Sequence, residues 1–186
     1  YRYGDCAVRC ANQEEFKRMD THPIFVVGPQ RAGSRLTAHI IARQTGRTFV
    51  DETEFNFEDE HLNSVIQAPF LLKAVIELSF RYPTAQFIFM HRNKQDIIKS
   101  MERIEWYKDY IDDPDFYSTY IEHCYKYIEQ LKKELHKYRW FDVKYESLVN
   151  DPLFVIDRTN FTVKQHLPDT PNGPITWRNS EYLRTA

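Results

Sequence analysis

Residues 23–41, PIFVVGPQRAGSRLTAHII, place an unbroken apolar run before Gly28 and resume apolar positions at helical spacing after Gly33. The run PIFVVG is short and β-rich, the pattern of a strand buried on both faces. The turn predicts a following helix of about a dozen residues that stops near Gly46, a residue suited to a left-handed helix end. TFVDE reads as a second strand and SVIQAP as a third, closed by Pro69. FLLKAVIELSFRY carries apolar residues at three-and-four spacing and predicts a helix halted before Pro83. QFIFMHR is the clearest strand, and KQDIIKSMERI opens another helix with Asp96 as N-cap or first-turn acid. Residues 117–138 predict the longest helix. Tyr117, Ile121, Cys124, Ile128, Leu131, Leu135 and Tyr138 form one apolar stripe, read as ordinary core. WFDVKYESL reads as a final strand, and the tail from about residue 151, rich in Pro, Asn and Thr, carries no assignable pattern.

Strands alternating with helices imply an α/β fold: a three-layer, P-loop-like domain with a mostly parallel central sheet flanked by helices. Residues 1–22 read as a polar N-terminal extension, and 23–186 as a single domain. Ligands of such folds bind beyond the carboxyl ends of the strands.

Composition narrows the classes. A length of 186 residues suits one domain with a sizeable core, and 42% hydrophobic with 15% aromatic residues is globular rather than disordered. The net charge of −2 supplies no basic field for nucleic acid or an anionic membrane. No apolar run approaches the roughly 20 residues of a membrane helix. No signal peptide pattern is visible, and the chain begins at Tyr1 without a methionine, which leaves room for a removed upstream segment. Three cysteines, Cys6, Cys10 and Cys124, lack the second pair that metal-ligand spacing requires. Reduced thiols and a cytoplasmic location are the expectation, with a Cys6–Cys10 bridge the open alternative.

Gly28 and Gly33 have the G-x-x-x-x-G spacing of phosphate loops, but Ser34 and Arg35 stand where Lys and Ser/Thr would follow. Between Gly28 and Arg47 there are four arginines (Arg31, Arg35, Arg43, Arg47) and no acid. A loop opening a helix presents backbone N–H groups and the positive end of the helix dipole. Arg31 and Arg35 add charge suited to an anion with several oxygens. A tight turn with solvated arginines is the plainer alternative. Downstream, Arg92 closes a strand and Ser100 follows eight residues later in a helix, a second place for a phosphate on the same sheet edge. Two such sites suggest a ligand phosphorylated in two places.

These segments resemble the sulfotransferase family. GPQRAGSRL is similar to its 5′-phosphosulfate loop, RNKQDIIKS to its 3′-phosphate motif, and KYESLVNDP to its Y-E-x-L segment; the three come in the family's order. The wording of PFLLKAVIELSFRYPTAQFIFMHR, KYESLVNDP and the acidic DET is most similar to the tyrosylprotein sulfotransferases. Two departures stand out: Gln67 replaces a basic residue of that branch, and its substrate-binding and C-terminal regions are reduced here. The resemblance implies 3′-phosphoadenosine 5′-phosphosulfate (PAPS) as donor and 3′-phosphoadenosine 5′-phosphate (PAP) as product. The acceptor stays open among peptide tyrosine, sugar, phenol and lipid.

By the same resemblance Arg31 stabilises the leaving group, and Gln30, Arg31, Ala32, Gly33, Ser34 and Arg35 hold the 5′-phosphate. Arg92 and Ser100 hold the 3′-phosphate. Tyr145 lies by the adenosine or, as a strand aromatic, in the core. TWRNS resembles the W-K-N of some cytosolic members, implying Arg178 as a further 3′-phosphate contact. Among the six carboxylates of VDETEFNFEDE, Glu52 lies 21 residues after Arg31, matching the family's catalytic glutamate, with Asp51 and Glu54 as fallbacks. His91 reads as turned away from Arg92, and Lys73 as a surface lysine. No metal is expected, because QFIFMHR ends in His-Arg rather than the acid that Mg²⁺-dependent phosphoryl transfer requires. A kinase with a degenerate loop and a catalytically silent nucleotide-binding protein are the alternatives.

Overall fold

The computed structural model describes residues 22–107, 113–137 and 139–150, together with the backbone of four short strand segments beyond them. Cys6, Cys10, Tyr138 and Arg178 lie outside the described residues. Five parallel strands form the central sheet: β1 (Ile24–Val27), β2 (Thr48–Val50), β3 (Ser64–Gln67), β4 (Gln86–His91) and β5 (Trp140–Lys144), in spatial order β2-β3-β1-β4-β5. The helices are α1 (Ser34–Thr45), α2 (Val75–Arg81), α3 (Lys94–Arg103), α4 (Phe116–Glu134) and α5 (Tyr145–Asn150). The α/β three-layer expectation holds.

Alternation along β1 and β4 divides the core. Ile24, Val26, Ile88 and Met90 face one way, against Leu36, Ile40 and Ile41 of α1 and Ile97 and Met101 of α3. Phe25, Val27, Phe87 and Phe89 face the other way, against Leu71 and Leu72, Val75 and Leu78 of α2, and Ile128 and Leu131 of α4. Both faces of the central strands are therefore dry, which explains their unbroken apolar sequence. Burying each of these Phe side chains contributes about 1.5–3 kcal/mol, so β1 and β4 anchor the domain. The segments that follow the five strands all start from one edge because the strands are parallel.

Five local expectations change. The stretch predicted as one helix before Pro83 is a 3-10 turn over Pro69–Ala74 followed by α2. Pro69 lacks an N–H, and Leu71 N closes onto Ala68 O three residues back, at 2.9 Å. β2 ends at Val50, so Asp51 and Glu52 belong to a turn in which Asp51 O accepts from Glu54 N and Phe55 N. β5 ends at Lys144, opposite the last residue of β4, and Tyr145 starts α5 instead of continuing the strand. Nor is β5 the last strand. β6 (Leu153–Ile156) pairs antiparallel with β7 (Phe161–Lys164), and β8 (Asp169–Thr170) with β9 (Gly173–Pro174). Asn93, not Asp96, caps α3: its side chain accepts from Gln95 N and Asp96 N, and Asp96 is the first-turn acid.

Candidate functional site

The loop 28–33 runs from the carboxyl end of β1 into α1. At Gly28 (φ +152°) an added Cβ would meet Met90 O at 3.0 Å, so the chain passes hard against β4. At Gly33 (φ +96°) it would lie 2.4 Å from Cδ2 of Tyr145. Glycine is required there twice over, by backbone sign and by the ring. Arg31, although not glycine, is also left-handed (φ 69°), at a cost of about 1–2 kcal/mol. α1 begins with no acid in its first turn, and Thr37 N is bonded to Gly33 O at 3.1 Å. The N–H groups of Ser34, Arg35 and Leu36 thus precede the helical ladder and have no acceptor within the helix. This is the anion-receptive end of a helix.

Arg31 and Arg92 converge. Arg31 Nε donates to Ser100 Oγ at 2.9 Å across 69 residues of sequence, and Ser100 is 1% exposed. Arg92 Nη1 donates to Arg31 O at 3.0 Å, and the Arg92 guanidinium lies 4.3 Å from the centre of the Tyr145 ring. The two regions read from sequence as separate phosphate sites are therefore one polar cluster at the ends of β1 and β4. Tyr145 lies beneath both, touching Gly33 on one side and Arg92 on the other. Tyr145 starts α5 and does not continue a strand, but its alternative reading as a core residue holds, since it is buried in the cluster that includes Val143 and Leu148.

The remaining loop residues divide. Gln30 donates its side-chain amide to Glu52 Oε2 at 3.3 Å, closing the gap between the loop and the end of β2. Its backbone N–H goes to the Tyr120 hydroxyl of α4 at 3.1 Å. Ala32 is buried and spends its N–H on Pro29 O at 3.1 Å, inside the loop. Ser34 Oγ accepts from Gln67 Nε2 at 3.3 Å, at the end of β3. Arg35 is 60% exposed and pairs with Asp51 at 3.3 Å. Arg43 and Arg47 lie at the far end of α1, where Arg47 Nη1 donates to His22 O, so neither joins the site. Lys73 is exposed in the 3-10 turn.

Beside Arg92 a groove of about 360 Å³ is lined by His91, Arg92, Asn93, Tyr125, Lys144 and Glu146. The Tyr125 hydroxyl accepts from Arg92 N (3.0 Å) and donates to Arg92 O (2.8 Å), and Glu146 Oε1 accepts from Asn93 N (2.7 Å). His91 turns to Asp142 (2.6 Å), which Lys132 also reaches at 2.7 Å. Burial alone would raise the Asp142 carboxyl, but the hydrogen bonds from His91 and Lys132 hold it below the usual range. Burial pushes the Tyr120 phenol and the Cys124 thiol up, so both stay protonated near neutral pH.

Sequence reasoning missed Tyr120, Tyr125 and Glu146. Tyr120 and Tyr125 sit one position off the apolar stripe of α4, and Glu146 lies inside the Y-E-x-L segment; nothing local marks their partners, which lie on other elements.

No described helix is long and apolar enough to cross a membrane. No curated protein matches the chain. A family model described as the sulfotransferase family matches residues 43–158, which include Glu52, Arg92, Ser100 and Tyr145 and begin after the loop at 28–33. The matched span is more than half of the 186 residues, and it folds into β2 through β5 of the sheet whose edge carries the arginine cluster. The chain belongs to the sulfotransferase family.

Proposed function

We propose that the protein transfers a sulfuryl group from PAPS to a hydroxyl or amine acceptor, with PAP as the product. The observation that carries this reading is the convergence of Arg31, Arg92 and Ser100 on the N-terminus of α1. A ligand with phosphate at two positions can engage the helix end and the Arg92 side together, and a singly phosphorylated nucleotide cannot. The groove beside Arg92 offers room for part of the nucleoside.

The reaction breaks the bond between sulfur and the oxygen bridging to the 5′-phosphate and forms one between sulfur and the acceptor oxygen or nitrogen. The acceptor proton goes to Glu52, and the leaving electron pair stays on the phosphate of PAP. The protein's task is positioning and charge stabilisation. Arg31 opposes the charge that grows on the bridging oxygen, and the N–H groups opening α1 hold the 5′-phosphate. Gln67 brings no charge, so this stabilisation rests on Arg31. Likeness to the tyrosylprotein branch makes peptide tyrosine one acceptor to try, beside sugars, phenols and lipids.

Two measurements test the proposal. PAP should raise the melting temperature more than AMP or ATP does; equal shifts for AMP and PAP would remove the basis for the Arg92 side. Glu52→Gln should keep PAP affinity and lose turnover by about 10²–10⁴. Full activity in that variant would transfer the base to Asp51 or Glu54.

A further inference from the structure

The structure assigns Gln30 as a positioning residue for the Glu52 carboxylate, held in place by Tyr120, and not as a contact of the donor phosphate. This inference rests on the reading of Glu52 as the base. Gln30 uses both of its donor groups inside the protein. The side-chain amide goes to Glu52 Oε2 at 3.3 Å, and the backbone N–H goes to the Tyr120 hydroxyl at 3.1 Å. The loop therefore turns Gln30 toward β2 and α4, while the helix end that follows it faces the anion.

The anchor is firm because Tyr120 is not free to follow the loop. Its ring packs on Trp106 with centroids 5.1 Å apart and stacks on Phe116 at 6.4 Å. The phenol remains protonated, so it can accept from Gln30 N and still donate. Glu52 itself sits in a turn after β2 with no ladder to hold it, since the strand ends at Val50. Asp51 and Glu54 share its turn, and Arg35 of α1 pairs with Asp51. Among the described residues, it is Gln30 that links the Glu52 carboxylate to the loop bearing Arg31. One carboxylate oxygen accepts from Gln30, leaving the other to face an acceptor hydroxyl. A base displaced by about 1 Å can lose two orders of magnitude in rate.

Gln30→Met keeps the side-chain volume and deletes the N–H. The expected result is a fall in kcat of about 10- to 100-fold, with calorimetric PAP affinity and melting temperature unchanged. Gln30→Glu, which sets a carboxylate against Glu52, should lose more. Turnover is read as PAP release from PAPS with pooled peptide, sugar, phenol and lipid acceptors. A readout independent of activity is the side-chain amide resonance pair of Gln30 in ¹⁵N-labelled protein, identified by its loss in Gln30→Met. It should move upfield in Glu52→Ala, and Tyr120→Phe should shift the Gln30 backbone amide. If the pair ignores Glu52→Ala, or if Gln30→Met weakens PAP binding in step with turnover, the assignment is overturned while Glu52 keeps its role. If Glu52→Gln remains fully active, the reading of the base fails first and this inference with it.

Discussion

Replacing Gly33 by alanine puts a methyl group where the ring of Tyr145 already lies. The added Cβ would be 2.4 Å from Cδ2 and 2.9 Å from Cε2, well inside van der Waals contact, and Tyr145 is 4% exposed, so its ring has little space to retreat. The φ of +96° adds the left-handed penalty, about 1–2 kcal/mol for an L residue. Overpacking a filled site costs about 1–3 kcal/mol more, so the two effects together reach about 2–5 kcal/mol. Gly46 supplies the control. It is also left-handed (φ +68°), yet a Cβ there meets nothing within 4 Å, so Gly46→Ala should show the backbone cost alone. Denaturant unfolding of the two variants, at constant m-value, isolates the ring contact as their difference, about 1–3 kcal/mol. Combining Gly33→Ala with Tyr145→Ala should shrink that difference, because the obstructing ring is gone. Equal destabilisation by Gly33→Ala and Gly46→Ala, within about 0.5 kcal/mol, would refute the close approach and with it the account of how Tyr145 supports the loop.

Further expectations rest on single contacts. Arg92→Ala should weaken PAP binding by about 1.5–3 kcal/mol, the range for a hydrogen bond to a charged group. AMP should lose less, through the Arg31 carbonyl that Arg92 supports; calorimetry showing equal losses would make Arg92 purely structural. Asp142 has a depressed carboxyl pKa, so its contribution to stability is present above its unfolded value near 3.8 and disappears as pH falls through the folded one. The melting-temperature gap between the native protein and Asp142→Asn should therefore be widest near neutral pH and close below about pH 4; a constant gap would contradict the His91 and Lys132 pairing. Asn93→Ala should cost about 0.5–2 kcal/mol by stripping the cap of α3, and Asn93→Asp should cost little; equal losses in thermal unfolding would show that the cap contributes nothing.

Much of the scaffold was legible in local sequence. The strand–turn–helix of residues 23–46, the stop at Gly46, the strand QFIFMHR and the long helix α4 follow from rules that act within a few residues: side-chain periodicity, the left-handed tolerance of glycine, and the missing N–H of proline. The presence of Arg31 in a helix-opening loop and of Arg92 at a strand end was equally plain. What tertiary structure decided is where neighbours run out and who meets whom. KYESL reads as strand, but β4 ends at His91, and beyond Lys144 there is no partner to hold a ladder, so Tyr145 turns into α5 under the loop. Arg47 resembles Arg31 in the sequence count, yet the length of α1 carries it to the opposite end of the sheet, against His22. Arg31 with Ser100 and Gln30 with Glu52 and Tyr120 are pairings set by the strand order β2-β3-β1-β4-β5, with α4 packed beside it. No local rule encodes that order, because it arises from how whole apolar faces close on one another.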